Sequence, residues 1–313
     1  MQWRAECAMI PQNRNRFHSV GGAFWLLPAG SHRELTLKNS RKHPFLFILA
    51  SVLAVLGLLL ADSAFHLSTE TYILNCETLP PGFDGFRIVQ LSDLHECSFG
   101  RGNRRLVRQV EKAEPDLIAV TGDLADRAGE EDYIRGLMTQ LSDIAPTYYV
   151  SGNHEWASHI MPEVTDALER SGVTVLDQDF RRLTREGDSL LLVGLCDPNG
   201  PASMDTPEEV LARAKEKEGS LFTVLLAHRN RIGEYGELGA ELTLCGHAHG
   251  GLVRLPGTDG LIDTGRNWFP TGTSGIYEHS GASVLVSRGL CYRFPFVRFL
   301  NRPHIPLVIL SRQ

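Results

Sequence analysis

Residues 87–95, RIVQLSDLH, run from an apolar strand directly into Asp93-Leu94-His95. Two later stretches repeat that form. Residues 117–123, LIAVTGD, end on Gly122-Asp123, and residues 148–155, YYVSGNHE, end on Gly152-Asn153-His154-Glu155. Asp93, Asp123 and Asn153 are thirty residues apart each time, which is the length of one strand–helix–strand unit. The intervening residues read as helices. Asn103 to Ala113 places Leu106, Val107 and Val110 on one face, and Asp132 to Leu141 and Pro162 to Arg170 follow, the last stopped by Gly172. Strands are predicted at Arg87–Leu91, Asp116–Val120 and Thr147–Val150. Three oxygen-bearing side chains should therefore meet at the carboxyl edge of one parallel sheet.

Working outward, Tyr72 to Leu74 reads as a short strand before the turn at Pro80-Pro81-Gly82. The second half reads as more antiparallel. Arg181 to Thr184 and Leu190 to Leu195 flank a hairpin turn at residues 185–189, and Leu221–Ala227 and Leu242–Cys245 are apolar strands that deliver His228 and His247. In Gly246-His247-Ala248-His249 the two histidines would face opposite ways along an ideal strand. The second must lie where the strand has already turned, which Gly246, Gly250 and Gly251 permit. Periodicity alone supports an α/β fold with a mixed second sheet.

Five polar blocks in one order, D-x-H, GD, GNH[DE], H and G-H-x-H, span residues 93–249. The chain thereby resembles the calcineurin-like metallophosphoesterase superfamily. The resemblance implies a four-layer α/β-β/α sandwich holding two divalent metal ions of the Mn, Fe, Zn, Co or Ni type. One ion would take Asp93, His95 and His249, the other Asn153, His228 and His247, with Asp123 bridging. Hard oxygen and imidazole donors suit such ions, and a pair of them can clamp the attacking and leaving oxygens of phosphoryl transfer. By the same resemblance a metal-bridging water would attack phosphorus, and His154 would protonate the leaving oxygen. The bland alternative for His154 is a turn residue capping the next helix. Glu155 would either orient a ligand histidine or cap that helix. Arg127 and Arg229 could meet a phosphate, although solvated or salt-bridged roles are commoner for such residues. Asp126-Arg127 resembles the GDxxDRG block of protein Ser/Thr phosphatases, but Ala128 replaces its glycine.

Pro44 to Ala61 is eighteen residues without a charge, broken in polarity only by Ser51. As a helix it nearly spans a bilayer core of roughly 30 Å. Lys38, Arg41 and Lys42 precede it, and Asp62 and Glu70 follow. The positive-inside rule then predicts a cytoplasmic N-terminus and an extracytoplasmic catalytic domain on a single-pass anchor. The expected division is a disordered tail at 1–43, a membrane helix at 44–61, and a catalytic domain at 62–313 that begins with a linker from about Ser63. The formal net charge of −6 gives no reason to expect a nucleic-acid partner. Six cysteines are scattered without a CxxC pair, so no thiolate zinc site is suggested, and an even count says little about disulfides in a domain this size.

Near the C-terminus, Ser287-Arg288-Gly289-Leu290 and Asn301-Arg302-Pro303 resemble a bacterial branch of membrane-anchored or exported phosphoesterases. Phe294-Pro295-Phe296 could approach a membrane there. The expectation is thus a metal-dependent phosphodiesterase acting on a lipid-linked, nucleotide or wall-polymer phosphodiester. A phosphomonoesterase and a non-catalytic, membrane-tethered metal-binding module are the alternatives.

Overall fold

The computed structural model describes residues 44–292 and 298–312. The expected tail at 1–43 and the Phe294-Pro295-Phe296 patch lie outside the described residues. In chain order the elements are α1 (Pro44–Phe65), β1 (Ser68–Asn75), β2 (Arg87–Leu91), α2 (Arg104–Lys112), β3 (Leu117–Thr121), α3 (Glu131–Ser142) and β4 (Thr147–Val150). There follow α4 (Asn153–Ala157), α5 (Met161–Glu169), β5 (Thr174–Val175), β6 (Asp179–Arg185), β7 (Asp188–Gly194), α6 (Pro207–Glu218) and β8 (Thr223–Leu226). The last are α7 (Ile232–Glu237), β9 (Leu242–Cys245), β10 (Gly275–His279), β11 (Ala282–Val286) and β12 (His304–Ser311).

Alternation along the central strands explains the layers. In β2 and β3, Val89, Leu91, Ile118 and Val120 face α2, α3 and α5, whereas Ile88, Leu117 and Ala119 face the other sheet. In β8 and β9, Val224, Leu226, Leu242 and Leu244 look inward to that same central core. Leu225 and Cys245 look outward, into a third core shared with Val210, Leu211 and Ala214 of α6 and Tyr235 of α7. Three cores separate four layers, helices–sheet–sheet–helices, as the family resemblance implied. Each sheet has six strands, in the orders β1-β12-β2-β3-β4-β5 and β10-β11-β9-β8-β7-β6.

The antiparallel reading of the second half is corrected. β7, β8, β9 and β11 are parallel neighbours, and antiparallel pairing in that sheet is confined to β6–β7 and β10–β11. Parallel β7 and β8 need a crossover, and α6 supplies it. Its start was written in the sequence as Thr206-Pro207-Glu208-Glu209. The Thr206 hydroxyl accepts from Glu209 N at 3.3 Å, and the Glu209 carboxylate accepts from Thr206 N at 2.8 Å. In the first sheet, β12 pairs parallel with β1 and antiparallel with β2. That partner stretches β1 over eight residues rather than three.

Among the described residues α1 is the one helix long and apolar enough to cross a membrane. Its side chains are exposed (Phe47 76%, Leu58 70%), which excludes a core helix. It continues to Phe65, so no linker begins at Ser63. Instead Ser63 is buried, its hydroxyl accepting from Leu300 N at 2.8 Å and donating to Leu59 O. Arg302 grips Asp62 at 2.7 and 2.9 Å, and Arg105 donates to Phe65 O.

Candidate metal centre

Both sheets send their carboxyl edges to one place. The turns after β2, β3 and β4 present Asp93 with His95, Asp123, and Asn153 with His154. Those after β8 and β9 present His228, then His247 and His249. Strand geometry ends abruptly at these turns. Asp93, His95, Asp123, His247 and His249 all have left-handed backbone, with φ between 42° and 69°. Asp and His tolerate that region better than branched residues do, although it still costs energy. The turn inferred for Gly246-His247-Ala248-His249 is thus present, since β9 stops at Cys245. Gly122 combines a φ of +81° with a tight approach, for a Cβ there would lie 2.5 Å from His228 Nδ1.

All seven side chains singled out from the sequence converge. Asp93 Oδ1 is 3.4 Å from His249 Nε2, which is 3.3 Å from His95 Nε2. On the other side His228 Nε2 lies 3.0 Å from Asn153 Oδ1 and 3.2 Å from His247 Nδ1. Asp123 Oδ2 sits between the two groups, 3.7 Å from His95 Nε2 and 3.2 Å from His228 Nε2. Except for Asn153 and His247, which are partly buried, these residues are at most 1% exposed. Ring orientations are fixed from behind. His95 Nδ1 donates to Asp126 at 2.6 Å and His228 Nδ1 to Thr121 O at 2.9 Å, which turns both Nε2 atoms inward.

The electrostatics ask for cations. Four carboxylates, Asp93, Asp123, Asp126 and Glu155, surround the histidines. Burial opposes charge on His228, His154 and His95, yet the carboxylates outweigh it. Asp123 drives His228 up to about 10, the hydrogen bond to Asp126 followed by Asp123 takes His154 up to about 9, and Asp126 raises His95. Burial in turn pushes Asp93 up, with the neighbouring Asp123 charge adding to it. Burial, and then the cationic histidines beside them, lower His247 to about 3 and hold His249 well below its ordinary value, leaving those nitrogens as lone-pair donors. Buried carboxylates that find their positive charge only in protonated imidazoles, beside neutral imidazoles and a carboxamide oxygen, form a donor set suited to two divalent ions. Groups of Asp93, His95, His249 and of Asp123, His228, His247 each bring their donor atoms within 4.8 Å of one another.

One residue that sequence reasoning passed over is central. A single oxygen of Asp126, Oδ1, receives both His95 Nδ1 at 2.6 Å and His154 Nδ1 at 2.8 Å. Its signal in the sequence is the Asp126-Arg127 pair after Gly122-Asp123, which by itself points only to a phosphatase-branch motif. Glu155 takes the capping role rather than orienting a histidine. Its carboxylate accepts from Gly152 N, Asp123 N and Leu124 N, pinning two site turns together. Arg229 is salt-bridged to buried Asp197 at 2.7 Å and reaches His247 Nε2 at 3.1 Å. Arg127 is an exposed partner of Glu96 and Glu130.

Comparison with known proteins agrees with this geometry. Residues 86–251, just over half of the 313-residue chain, match the Calcineurin-like phosphoesterase family. The chain is 26% identical over 255 residues to the uncharacterized metallophosphoesterase YkuE of Bacillus subtilis, covering 78% of this chain and 86% of that one. An uncharacterized metallophosphoesterase of Aquifex aeolicus is 29% identical over 255 residues, with 79% and 93% covered. A transmembrane protein with metallophosphoesterase domain from Danio rerio is 26% identical over 300 residues, 91% of this chain and 64% of that protein. With its four-layer sandwich and its converging Asp, Asn and His side chains, the chain belongs to the calcineurin-like phosphoesterases and is a phosphoesterase hydrolase.

Proposed function

We propose a dinuclear phosphodiesterase in which Asp93, His95 and His249 hold one divalent ion, Asn153, His228 and His247 hold the other, and Asp123 is shared. The position of Asp123 Oδ2 between His95 and His228 carries this reading, because one carboxylate facing two separate donor groups has no use at a single-ion site. Two bound ions would supply Lewis acidity, lowering the proton affinity of water and drawing charge from the phosphoryl oxygens. The protein's part is orientation and proton transfer. His154 is about one-third exposed, so a substrate can reach it, and Asp126 keeps it protonated at neutral pH. With Nδ1 spent on Asp126, Nε2 lies on the cluster side, 3.9 Å from Asp123 Oδ2. From there it donates its proton to the departing oxygen.

We take over the division expected from the sequence, a tail at 1–43, a membrane anchor from 44, which α1 carries on to Phe65, and a catalytic domain in the remainder. The catalytic domain lies outside the cytoplasmic membrane. Lys38, Arg41 and Lys42 ahead of α1 support that side, and the relative named as a transmembrane protein supports the anchor alone. The substrate is a phosphodiester, lipid-linked or part of a nucleotide or wall polymer. Exposed Leu255, Trp268, Phe269 and Leu300 favour the lipid-linked choice. They belong to segments joined to one another and to Ser63 at the end of α1, where an apolar rim meets a bilayer. Hydrolysis of bis-p-nitrophenyl phosphate and of p-nitrophenyl phosphate by the full chain, with Mn added and with a chelator, tests the reading. Faster metal-dependent turnover of the diester is expected. Preference for the monoester would replace it with the phosphomonoesterase alternative, and metal-dependent stabilisation without turnover of either would leave a binding module.

A further inference from the structure

Cys97 and Cys291 are 194 residues apart in sequence, yet their Sγ atoms lie 2.8 Å from each other, against about 2.05 Å for a covalent bond. Both residues are at most 1% exposed. Backbone hydrogen bonds fix the two positions independently of the thiols. Cys97 N donates to Leu94 O at 2.8 Å, and Cys291 N donates to Asp93 O at 2.8 Å. Tyr133 and Arg298 donate to the carbonyls of Cys97 and Cys291 respectively. The turn so anchored is the one that carries Asp93 and His95, and three of its residues have left-handed backbone.

We propose that Cys97 and Cys291 are a disulfide-forming pair whose bond locks the Asp93–Cys97 turn against the Gly289–Cys291 segment. That the bond is closed in the cell rests on the outward placement of the catalytic domain proposed above, since such bonds persist in oxidising compartments. The oxidant is a disulfide-bearing protein or small molecule. A thiolate of the pair attacks one sulfur of that disulfide, forming a mixed disulfide and releasing a thiolate. The second cysteine's thiolate then attacks the first cysteine's sulfur in that mixed disulfide, expelling the oxidant's other thiolate. Two thiols lose two protons and two electrons, and the oxidant's disulfide ends as two thiols. Burial of both sulfurs places this exchange during folding and shields the finished bond from reductants.

The test is non-reducing peptide mapping of the full chain, isolated from membranes under an alkylating agent and without reductant. A peptide containing Cys97 joined to one containing Cys291, two hydrogens lighter than the separate thiol peptides, is expected. Because the bond closes a long loop, the chain refolded under a reductant should melt lower by on the order of 10 °C. The double variant Cys97→Ala, Cys291→Ala should melt at the lower temperature with or without reductant. If both thiols are alkylated in the isolated chain but join on refolding in a glutathione redox buffer, the pair stands and the outward placement falls. Thiols that stay alkylatable after such refolding would overturn the proposal, whichever side of the membrane the domain occupies.

Discussion

The first sheet gives the candidate site its oxygens and the second gives most of its nitrogens. Asp93, Asp123 and Asn153 follow β2, β3 and β4, whereas His228, His247 and His249 follow β8 and β9. Neither edge alone offers both charge neutralisation and a full set of donors. The two meet because the central core between the sheets sets their spacing, and a cross-sheet hydrogen bond ties them directly, from His247 N to Asp93 at 3.1 Å. The contrast teaches that the chemistry belongs to the packing of two half-sites rather than to either motif set.

Removing the shared group should break the pair most completely. Asp123→Ala is expected to cut diester hydrolysis by about a thousandfold or more, since several kcal/mol of charge stabilisation goes with the second ion. Elemental analysis should show bound metal falling in parallel. Activity unchanged in this variant would sink the shared-carboxylate reading. Next comes the spacer. Leu226→Ala opens a cavity between the sheets two residues before His228, and should cost about 2–5 kcal/mol by urea unfolding. A loss confined to activity, with the unfolding midpoint intact, would mean that the sheets do not depend on this core for their spacing.

Asp126→Asn sharpens the comparison within the first sheet. It removes the charge behind both His95 and His154, and turnover should drop by about 10–100-fold. The loss should be larger for substrates with poor leaving groups, because p-nitrophenolate hardly needs a proton. Equal losses across leaving groups would assign Asp126 to His95 alone. The smallest effect lies far from the site. Arg302→Ala breaks a partly exposed pair with Asp62, and stability should change by no more than about 1 kcal/mol with turnover unchanged. A larger loss would show that the α1 junction supports the sandwich.

The same asymmetry governed what could be read from the chain. Residues 93, 123 and 153 announced themselves because a parallel strand, a crossover helix and a turn recur at constant length. Arg87–Leu91, Thr147–Val150 and Leu242–Cys245 appear over the residues anticipated. The second half had no such rhythm. Its crossovers differ, α6 with twelve residues and α7 with six, and His247 and His249 sit in backbone that no strand pattern encodes. Those histidines were legible only as a motif. β12 pairs with β1 and β2 across more than two hundred residues, and nothing local to His304–Ser311 names those partners. Asp126 escaped for a related reason: it lies in a turn, and its role exists only where His95 and His154 arrive from different strands.

The junction after α1 has a mechanical consequence. The helix ends at Phe65 and β1 begins at Ser68, with Asp62 and Ser63 already fastened to the C-terminal segment. Such a joint has no slack, so an anchored catalytic domain would keep a constant working height and tilt over the bilayer. For a lipid-linked substrate its search would become two-dimensional, with its range set by lateral drift of the whole molecule rather than by the swing of a tether.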